Sequence, residues 1–378
     1  MKFSNVTMPV FFVVVLLSVT LSCLPTALAA TVSVACGGSS DGVADGDAIT
    51  TAITGSSPGD TIQLHGTCVT NQTIVLLGKR NYFGDNRNVT TIRQAAGANL
   101  NALVASDSWV NNSPTTGDPI TIAHLNLDGN VSANSGTNVL VIRSWLSHIY
   151  DLVVQNAPAD GILIPSMAKN GTTDLNSTEV NSTIDNVWVK ASGANGIEVS
   201  DPNGGHVTDW FLLDSAIEAS TNSAIYLGNA AGWLLRGNHI YGVGHDAILA
   251  SHCFGTTIQD SYIEQFGTSG GSGNTWYGII ASLSDSAASV ISGNKVFMFQ
   301  GGTNTANLIY IAVTGHDGFD QATVSGNTIL GHSAATETGL SYTLGSGTSM
   351  FISTTGNSVQ RVGTPLTIGA SVTTNAGR

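Results

Sequence analysis

The chain has 378 residues, of which 44 are glycine and only 10% are charged. Its 25 Asp and Glu residues outnumber its 12 Lys and Arg residues, which gives a formal net charge of −13. This charge argues against nucleic acids and membranes as partners, and a polyanionic substrate would need a local cationic patch. The composition suits strands, tight turns and hydroxyl-rich surfaces rather than helices.

Residues 1–29 are predicted to form a secretory signal peptide. Lys2 supplies the positive charge, an apolar run follows from about Val10 to Leu24, and Ala27-Leu-Ala29 has the small residues of a cleavage site. A transmembrane anchor is the alternative, but the run is short for one. We therefore expect a secreted, extracellular protein whose mature part, residues 30–378, is one domain.

A short capping helix is predicted near the start of the mature chain. Asp47 is a suitable N-cap and Gly55 a suitable C-cap, with an apolar face between them. Such a helix would cover the open end of a stack of β-coils. Asp41 and Asp45 are interpreted, together with Asp47, as turn and cap residues rather than metal ligands.

Three cysteines remain after cleavage of the signal peptide. Cys36 and Cys68 lie about one coil apart, and an oxidising compartment would permit a disulfide between them. Cys253 follows an apolar run and is interpreted as a small core residue.

A four-residue pattern recurs from residue 151 onward. It consists of Asp, Asn or Gly, two further residues, and then Val or Ile, at intervals of roughly 23 to 35 residues. A fixed motif with a variable period indicates a solenoid whose coils share a core strand but differ in loop length. The sequence therefore predicts an all-β, single-stranded parallel β-helix, right-handed, with a capping helix. An antiparallel sandwich would instead show evenly spaced hairpin turns.

Two positions of this pattern carry further structural predictions. The Asn and Gly residues at its start suit a bend with positive φ, and stacked Asn side chains could hydrogen-bond along the axis. The Val or Ile at its end should form one buried stack: Val154, Val189, Ile217, Ile240, Ile263, Val296, Ile329 and Val359.

Two segments resemble the secreted β-helix proteins of the pectate lyase superfamily. Ser39–Ile53 is similar to the opening motif of that superfamily, and Arg236–Gly244 is similar to its coils. The resemblance implies the fold for nearly the whole mature chain and a polysaccharide as partner. It does not imply one reaction, because members include lyases, hydrolases, epimerases, tailspikes and proteins without known activity.

The motifs that distinguish those activities are mostly missing. The chain has no Asp-Asp pair, and its nearest matches to Gly-His-Gly are Gly244-His-Asp246 and Gly315-His-Asp317. A standard polygalacturonase, alginate epimerase or pectate lyase is therefore not expected.

A band of polar and aromatic side chains is predicted on the outer face of the sheet that carries the repeat. Side chains alternate along a strand, so the residues flanking each buried Val or Ile point outward. In the middle coils these residues are Trp188, Lys190, Glu218, His239, Tyr241, Tyr262, Glu264 and Lys295. We refer to them as the outer band.

The outer band suggests three interpretations. Glu218 and Glu264 lie two coils apart, about 9.6 Å between backbones, close to the separation used by inverting glycoside hydrolases. In β-elimination the base would instead be one of three other catalytic candidates, Lys190, His239 or Tyr241. The third interpretation is a solvated ladder in which Lys190 and Glu218 merely pair. The substrate-binding candidates are Trp188, Tyr262, Lys295, His245 and Asp246.

Two further clusters of His and Asp side chains could form sites. His245, Asp246 and His252 form a second candidate cluster beside a glycine-rich turn. No cofactor is expected, although His316 with Asp317 and Asp320 is a loose cluster that could hold Ca²⁺.

We expect an enzyme that cleaves a polysaccharide by hydrolysis or β-elimination. The alternative is a non-catalytic carbohydrate-binding or surface structural β-helix, and the oligomeric state is left open.

Overall fold

The computed structural model describes residues 29–284, 287–299 and 306–375. The predicted signal peptide lies outside the described residues, apart from its last residue. Within the described ranges, no helix has both the length and the apolar character needed to cross a membrane.

Three long parallel sheets wrap around one continuous apolar core. Each coil of the chain passes through sheet A, then sheet B, then sheet C, and pairs with the equivalent strands of the next coil. In the described residues sheet A has 13 strands and sheets B and C have 11 each. The predicted parallel β-helix is confirmed.

The strands have the following bounds. Sheet A contains Thr31–Ala35, Thr61–His65, Arg80–Gly84, Ile120–Ala123, His148–Tyr150, Thr183–Asp185, Phe211–Leu213, Leu234–Arg236, Thr257–Gln259, Ser289–Ser292, Phe319–Ser325, Ser349–Thr355 and Val372–Asn375. Sheet B contains Thr67–Thr70, Thr91–Gln94, Asn126–Asp128, Val153–Ala157, Trp188–Ser192, Ala216–Glu218, His239–Tyr241, Tyr262–Glu264, Lys295–Phe297, Thr328–Leu330 and Ser358–Gln360. Sheet C contains Ile74–Leu76, Ala102–Ser106, Asn138–Val141, Ile162–Pro165, Ile197–Ser200, Ile225–Leu227, Ile248–Cys253, Thr275–Leu283, Asn307–Gly315, Glu337–Leu344 and Thr364–Ile368. A small fourth sheet pairs Glu179–Val180 with Val207–Thr208.

The predicted apolar stack runs through sheet B. Each member from Val154 to Val359 is the register partner of the next. The first seven side chains are fully buried, whereas Val359, in the last coil, is only partly buried. The register inferred from the sequence is therefore confirmed, with a less covered final coil.

The tight turn between sheets A and B has the predicted backbone. All eight first positions of the repeat have positive φ, for example 49° at Asp151 and 70° at Gly237. The Asn ladder is also present: Asn294 Nδ2 donates to Asn327 Oδ1 at 3.1 Å, and Asn327 Nδ2 donates to Asn357 Oδ1 at 2.9 Å. Buried amide groups are thus satisfied along the helix axis.

The N-terminal helix spans Val43–Gly55, so the predicted start at Asp47 was wrong. The N-cap is Gly42, with φ of 73°, and the C-cap is Ser56 rather than Gly55. The helix begins early because the Asp45 carboxylate, already inside it, accepts backbone N–H groups from Gly37, Gly38, Ser39 and Val69. Those bonds hold the preceding turn against the first strand of sheet B.

Cysteine positions and a second short helix complete the fold. Cys36 and Cys68 form a disulfide that joins the residue after the first strand to sheet B. Cys253 is fully buried, as predicted for a core residue. A single helical turn at Asp107–Val110 was not expected from the sequence.

Candidate functional site

Sheet B places all eight residues of the outer band on one face. Trp188, Ala216, His239, Tyr262 and Lys295 are successive register partners. A parallel row, two residues further along each strand, is formed by Lys190, Glu218, Tyr241, Glu264 and Phe297. Every one of these side chains is exposed or half-buried.

Two aromatic members of the outer band, His239 and Tyr262, pack against each other. The rings of His239 and Tyr262 stack with centroids 5.1 Å apart and an angle of 28°. Glu264 accepts a hydrogen bond from the Tyr262 hydroxyl and lies 3.3 Å from His239 Nε2. Burial, followed by the hydrogen bond to Glu264, raises the pKa of Tyr262 to about 12, so this phenol is protonated at neutral pH. Lys190 Nζ lies 4.2 Å from the centre of the Trp188 ring.

The second candidate cluster is not brought together. His245 and Asp246 lie at the corner between sheets B and C, whereas His252 lies near the end of its sheet C strand. The His245 ring stacks on Trp276 at 4.0 Å, and burial lowers the pKa of that imidazole. Neither His245 nor Asp246 therefore belongs to the face that carries the outer band.

A ladder of polar side chains runs along the corner between sheets B and C. Asp160 Oδ1 accepts the N–H of Asn195 at 2.9 Å, and Asn195 Oδ1 accepts the N–H of Ser223 at 3.1 Å. Asp246 Oδ1 continues the ladder by accepting the N–H of Tyr277 at 2.8 Å. At the bend, each of these side-chain oxygens accepts a backbone N–H group. The carboxyl groups of Asp160 and Asp246 are buried there.

The ladder brings two carboxyl groups into contact. Asn195 Nδ2 donates to Glu198 Oε2 at 2.7 Å, and Glu198 is hydrogen-bonded to Asp160. Burial, followed by the charge of Glu198, raises the pKa of Asp160 to about 7. Burial also raises the pKa of Glu198. When one carboxyl of the pair is protonated it can donate to the other, and Glu198 is the more exposed member.

A third carboxyl group lies further along the same corner. Burial raises the pKa of Asp246 to about 6. Its strand is two strands from that of Glu198, and Asp246 lies three residues before Leu249, the position in register with Glu198. Three carboxyl groups with raised pKa thus follow one edge of sheet C, an arrangement typical of acid–base sites.

A cavity of about 590 Å³ opens on the outer face of sheet C. Tyr226, the register partner of Glu198, lines it together with Ser251, His252 and Phe254. Asp201 closes another side, where it accepts the backbone N–H groups of His206 and Val207 and so holds its loop in place. The volume suits a ligand of one or two sugar rings.

Sequence reasoning missed Asp160 and Glu198, although a signal was present. A second repeat, consisting of a polar residue, Gly or Ala, and Ile, occurs at Asp160-Gly-Ile162, Asn195-Gly-Ile197, Ser223-Ala-Ile225 and Asp246-Ala-Ile248. It marks the corner between sheets B and C. The contact of Glu198 with the preceding coil depends on the bend at Gly196, which periodicity alone does not reveal.

The loose cluster near His316 is engaged in other bonds. One carboxylate oxygen of Asp320 accepts the N–H groups of His316 and Asp317, and Asp317 accepts the hydroxyl of Ser284. In the part of the chain that the structure describes, no three His, Cys, Asp or Glu side chains are arranged to hold a metal ion. The cluster therefore gives no support for a Ca²⁺ site.

Comparisons with known proteins find similarity in structure but not in sequence. No family model and no curated protein matches the sequence. The A-module of mannuronan C-5 epimerase AlgE6 from Azotobacter vinelandii is similar with a TM-score of 0.52 and 15% identity, over 90% of this chain and 98% of that one. The catalytic domain of Agl-KA is similar with a TM-score of 0.53 and 14% identity, over 93% and 69%.

A third similar structure is that of an enzyme in a complex. DFA-IIIase from Arthrobacter chlorophenolicus A6, in complex with DFA-III, has a TM-score of 0.51 and 14% identity, over 87% of this chain and 83% of that one. Identities this low establish the fold and nothing finer. The fold is the one that the resemblance to the pectate lyase superfamily implied, and the chain is a right-handed parallel β-helix protein.

Proposed function

We propose that this chain is a secreted β-helix enzyme that hydrolyses a glycan on the outer face of sheet C. The observation that carries the proposal is the carboxyl pair Asp160–Glu198, one strand from Tyr226, which lines a cavity of sugar size that the pair itself does not line. General acid catalysis near neutral pH needs a carboxyl group whose pKa is raised into that range. This pair meets that requirement, and Glu198 is its exposed member.

The carboxyl groups suggest how the reaction would run. Glu198, supplied with the proton that it shares with Asp160, protonates the glycosidic oxygen as the bond to the anomeric carbon breaks. Asp246 takes a proton from water, whose oxygen forms the new bond to that carbon. Two strand spacings, about 9.6 Å, and an offset of three residues separate Glu198 from Asp246, which leaves room for a water between them, the arrangement that inversion needs.

Hydrolysis fits this face better than β-elimination does. Elimination from a uronic acid needs cationic groups that stabilise the developing enolate. Among the described residues that line the cavity, none is Lys or Arg, and Asp201 adds a further acid. A neutral glycan is therefore the favoured substrate class.

Secretion and the glycan itself rest on separate support. The predicted signal peptide and the Cys36–Cys68 disulfide both fit an oxidising, extracellular compartment. Two of the structures with the same fold are named as an epimerase of mannuronan and an enzyme in complex with DFA-III, so this fold accommodates carbohydrates. Residues 1–29 as the signal peptide and 30–378 as the β-helix domain remain part of the proposal.

The outer band is the second candidate for the cleavage centre. Glu218 and Glu264 flank Tyr241 in adjacent strands, and Lys190 and His239 lie beside them, as the sequence predicted. This band stays a prediction, and it is the place to which activity would be reassigned if the sheet C residues proved dispensable.

A screen on polysaccharides tests the proposed function. The purified mature protein is incubated with dextran, laminarin, galactomannan, inulin, pectin and alginate, with Glu198→Gln as the comparison. We expect new reducing ends from a neutral polymer, no absorbance near 235 nm, and loss of both rate and products in Glu198→Gln. Absorbance at 235 nm would identify a lyase instead, and absence of products from every polymer would favour the non-catalytic alternative.

A further inference from the structure

A depression of about 290 Å³ lies at the corner between sheets A and B, on a different side of the helix from the sheet C cavity. Its lining includes Trp188, Ala216 and His239 of sheet B, with Arg87, Asn186 and Asp214 on the sheet A side. We propose that it binds one neutral pyranose ring of a glycan, as a site distinct from the cleavage centre.

The depression exists because the aromatic row of sheet B is interrupted. Trp188 and His239 are the register partners on either side of Ala216, so a methyl group stands where a ring would continue the row. The backbones of the two flanking residues are two strand spacings apart, about 9.6 Å. A sugar ring between two aromatic faces needs van der Waals clearance of about 3.5–4 Å on each side, or about 7–8 Å in all, so the gap admits one pyranose ring but not two.

Both walls of the gap are held in place. The far side of the His239 ring is stacked on Tyr262, which in turn is bonded to Glu264. Lys190 contacts the Trp188 ring without lining the depression. Aromatic rings that keep their orientation in the absence of ligand lose little freedom when a sugar binds between them.

The rim supplies groups that pair with sugar hydroxyls. Asp214 is exposed, and its carboxylate lies over Gly237 of the next coil. The approach is so close that a Cβ at Gly237 would be only 2.2 Å from Asp214 Oδ1. Asn186 is exposed, and its side-chain amide donates to Asp151 and accepts from Arg87. The Arg87 guanidinium reaches this corner from three strands away, with Nη1 donating to Asn186 O at 3.0 Å and Nε lying 3.3 Å from Asp151 Oδ1.

The charges of the rim select the ligand class. Asp214 is the exposed acid, and Arg87 is already paired with Asp151. A uronate or sulfate would meet Asp214, with Arg87 paired to Asp151 and Lys190 outside the lining, whereas neutral hydroxyls can accept from Arg87 and donate to Asp214. The inference rests on the proposed function in that the ligand is a glycan and cleavage takes place on sheet C, because Trp188 and His239 also belong to the outer band.

Affinity electrophoresis through gels containing dextran, laminarin, galactomannan or alginate tests this site. We expect both the wild type and Glu198→Gln to be retarded by at least one neutral polymer, since binding in the depression survives the loss of cleavage. Ala216→Trp, which fills the gap, and Trp188→Ala, which removes a wall, should each bind about two- to tenfold more weakly. Trp145→Ala, at an exposed tryptophan elsewhere, should behave as wild type.

Two outcomes would overturn the proposal. Retardation of both Ala216→Trp and Trp188→Ala equal to that of the wild type would show that the depression binds no sugar. Retardation by alginate alone, or by none of the four polymers, would contradict the neutral glycan as ligand. Circular dichroism of each variant confirms that the β-helix is intact.

Discussion

Replacing Asp160 by Asn should stabilise the protein at neutral pH and leave it unchanged in acid. The pKa of Asp160 rises from an ordinary value of 3.8 to about 7 on folding, because the carboxylate is buried beside Glu198. A pKa raised by folding contributes stability that is complete below the unfolded value and is lost as the pH rises through the folded value. The rise corresponds to about 4 kcal/mol, an upper bound because Glu198 titrates with it.

Asn is a suitable replacement because it retains the structural bond. Asn138 and Asn195 occupy neighbouring positions, and each already accepts a backbone N–H through Oδ1. The difference in unfolding free energy between Asp160→Asn and the wild type should therefore be near zero below about pH 4 and reach about 2–4 kcal/mol above pH 7.

Urea unfolding followed by tryptophan fluorescence at several pH values between 4 and 8 measures this difference. Asp185→Asn, which replaces a carboxylate on the outer face of sheet A, is the matched control. A constant difference between Asp160→Asn and the wild type at all pH values would refute the proton-sharing pair.

Three further predictions concern the apolar core, the Asn ladder at the turn between sheets A and B, and the reaction. Ile240→Asp should prevent folding because it buries an unpaired charge, whereas Ile240→Val should cost only about 1 kcal/mol; soluble yield and circular dichroism distinguish them, and a folded Ile240→Asp protein would disprove the stack. Asn327→Ala should lower the unfolding free energy by about 1–3 kcal/mol because it leaves Asn294 and Asn357 without their shared partner; an unchanged urea midpoint would contradict this. The rate of glycan hydrolysis should be bell-shaped in pH, with its maximum between about 6 and 7, because Asp246 must be ionised and the Asp160–Glu198 pair protonated; a plateau extending above pH 8 would exclude that pair as the acid.

The architecture followed from the sequence because one repeat specified it. A bend residue with positive φ and a buried Val or Ile recur together, and side-chain alternation then determines the outward residues. That reasoning placed Trp188, Glu218 and Tyr241 on their correct face. It failed at Asp47 because the start of the helix depends on bonds from Asp45 to residues of another coil.

The carboxyl pair was harder to anticipate because its chemistry arises from burial and register together. Asp160 and Glu198 are 38 residues apart and lie in different coils. Their contact depends on the bend at Gly196, where a Cβ would be 2.4 Å from the Ile217 side chain. The second repeat marks the corner between sheets B and C, but it does not predict that Glu198, one strand away, contacts Asp160. The gap at Ala216 likewise can be recognised only when its register partners, Trp188 and His239, are known.

The initial rate of reducing-end release from the cleaved glycan, compared between Glu198→Gln and Glu264→Gln, tests the central claim most directly. Both changes replace a half-buried carboxylate on an outer face, so their effects on the fold should be similar. We predict that Glu198→Gln lowers the rate by at least about a hundredfold and that Glu264→Gln changes it little. The reverse outcome would contradict the assignment to sheet C and place the cleavage centre in the outer band.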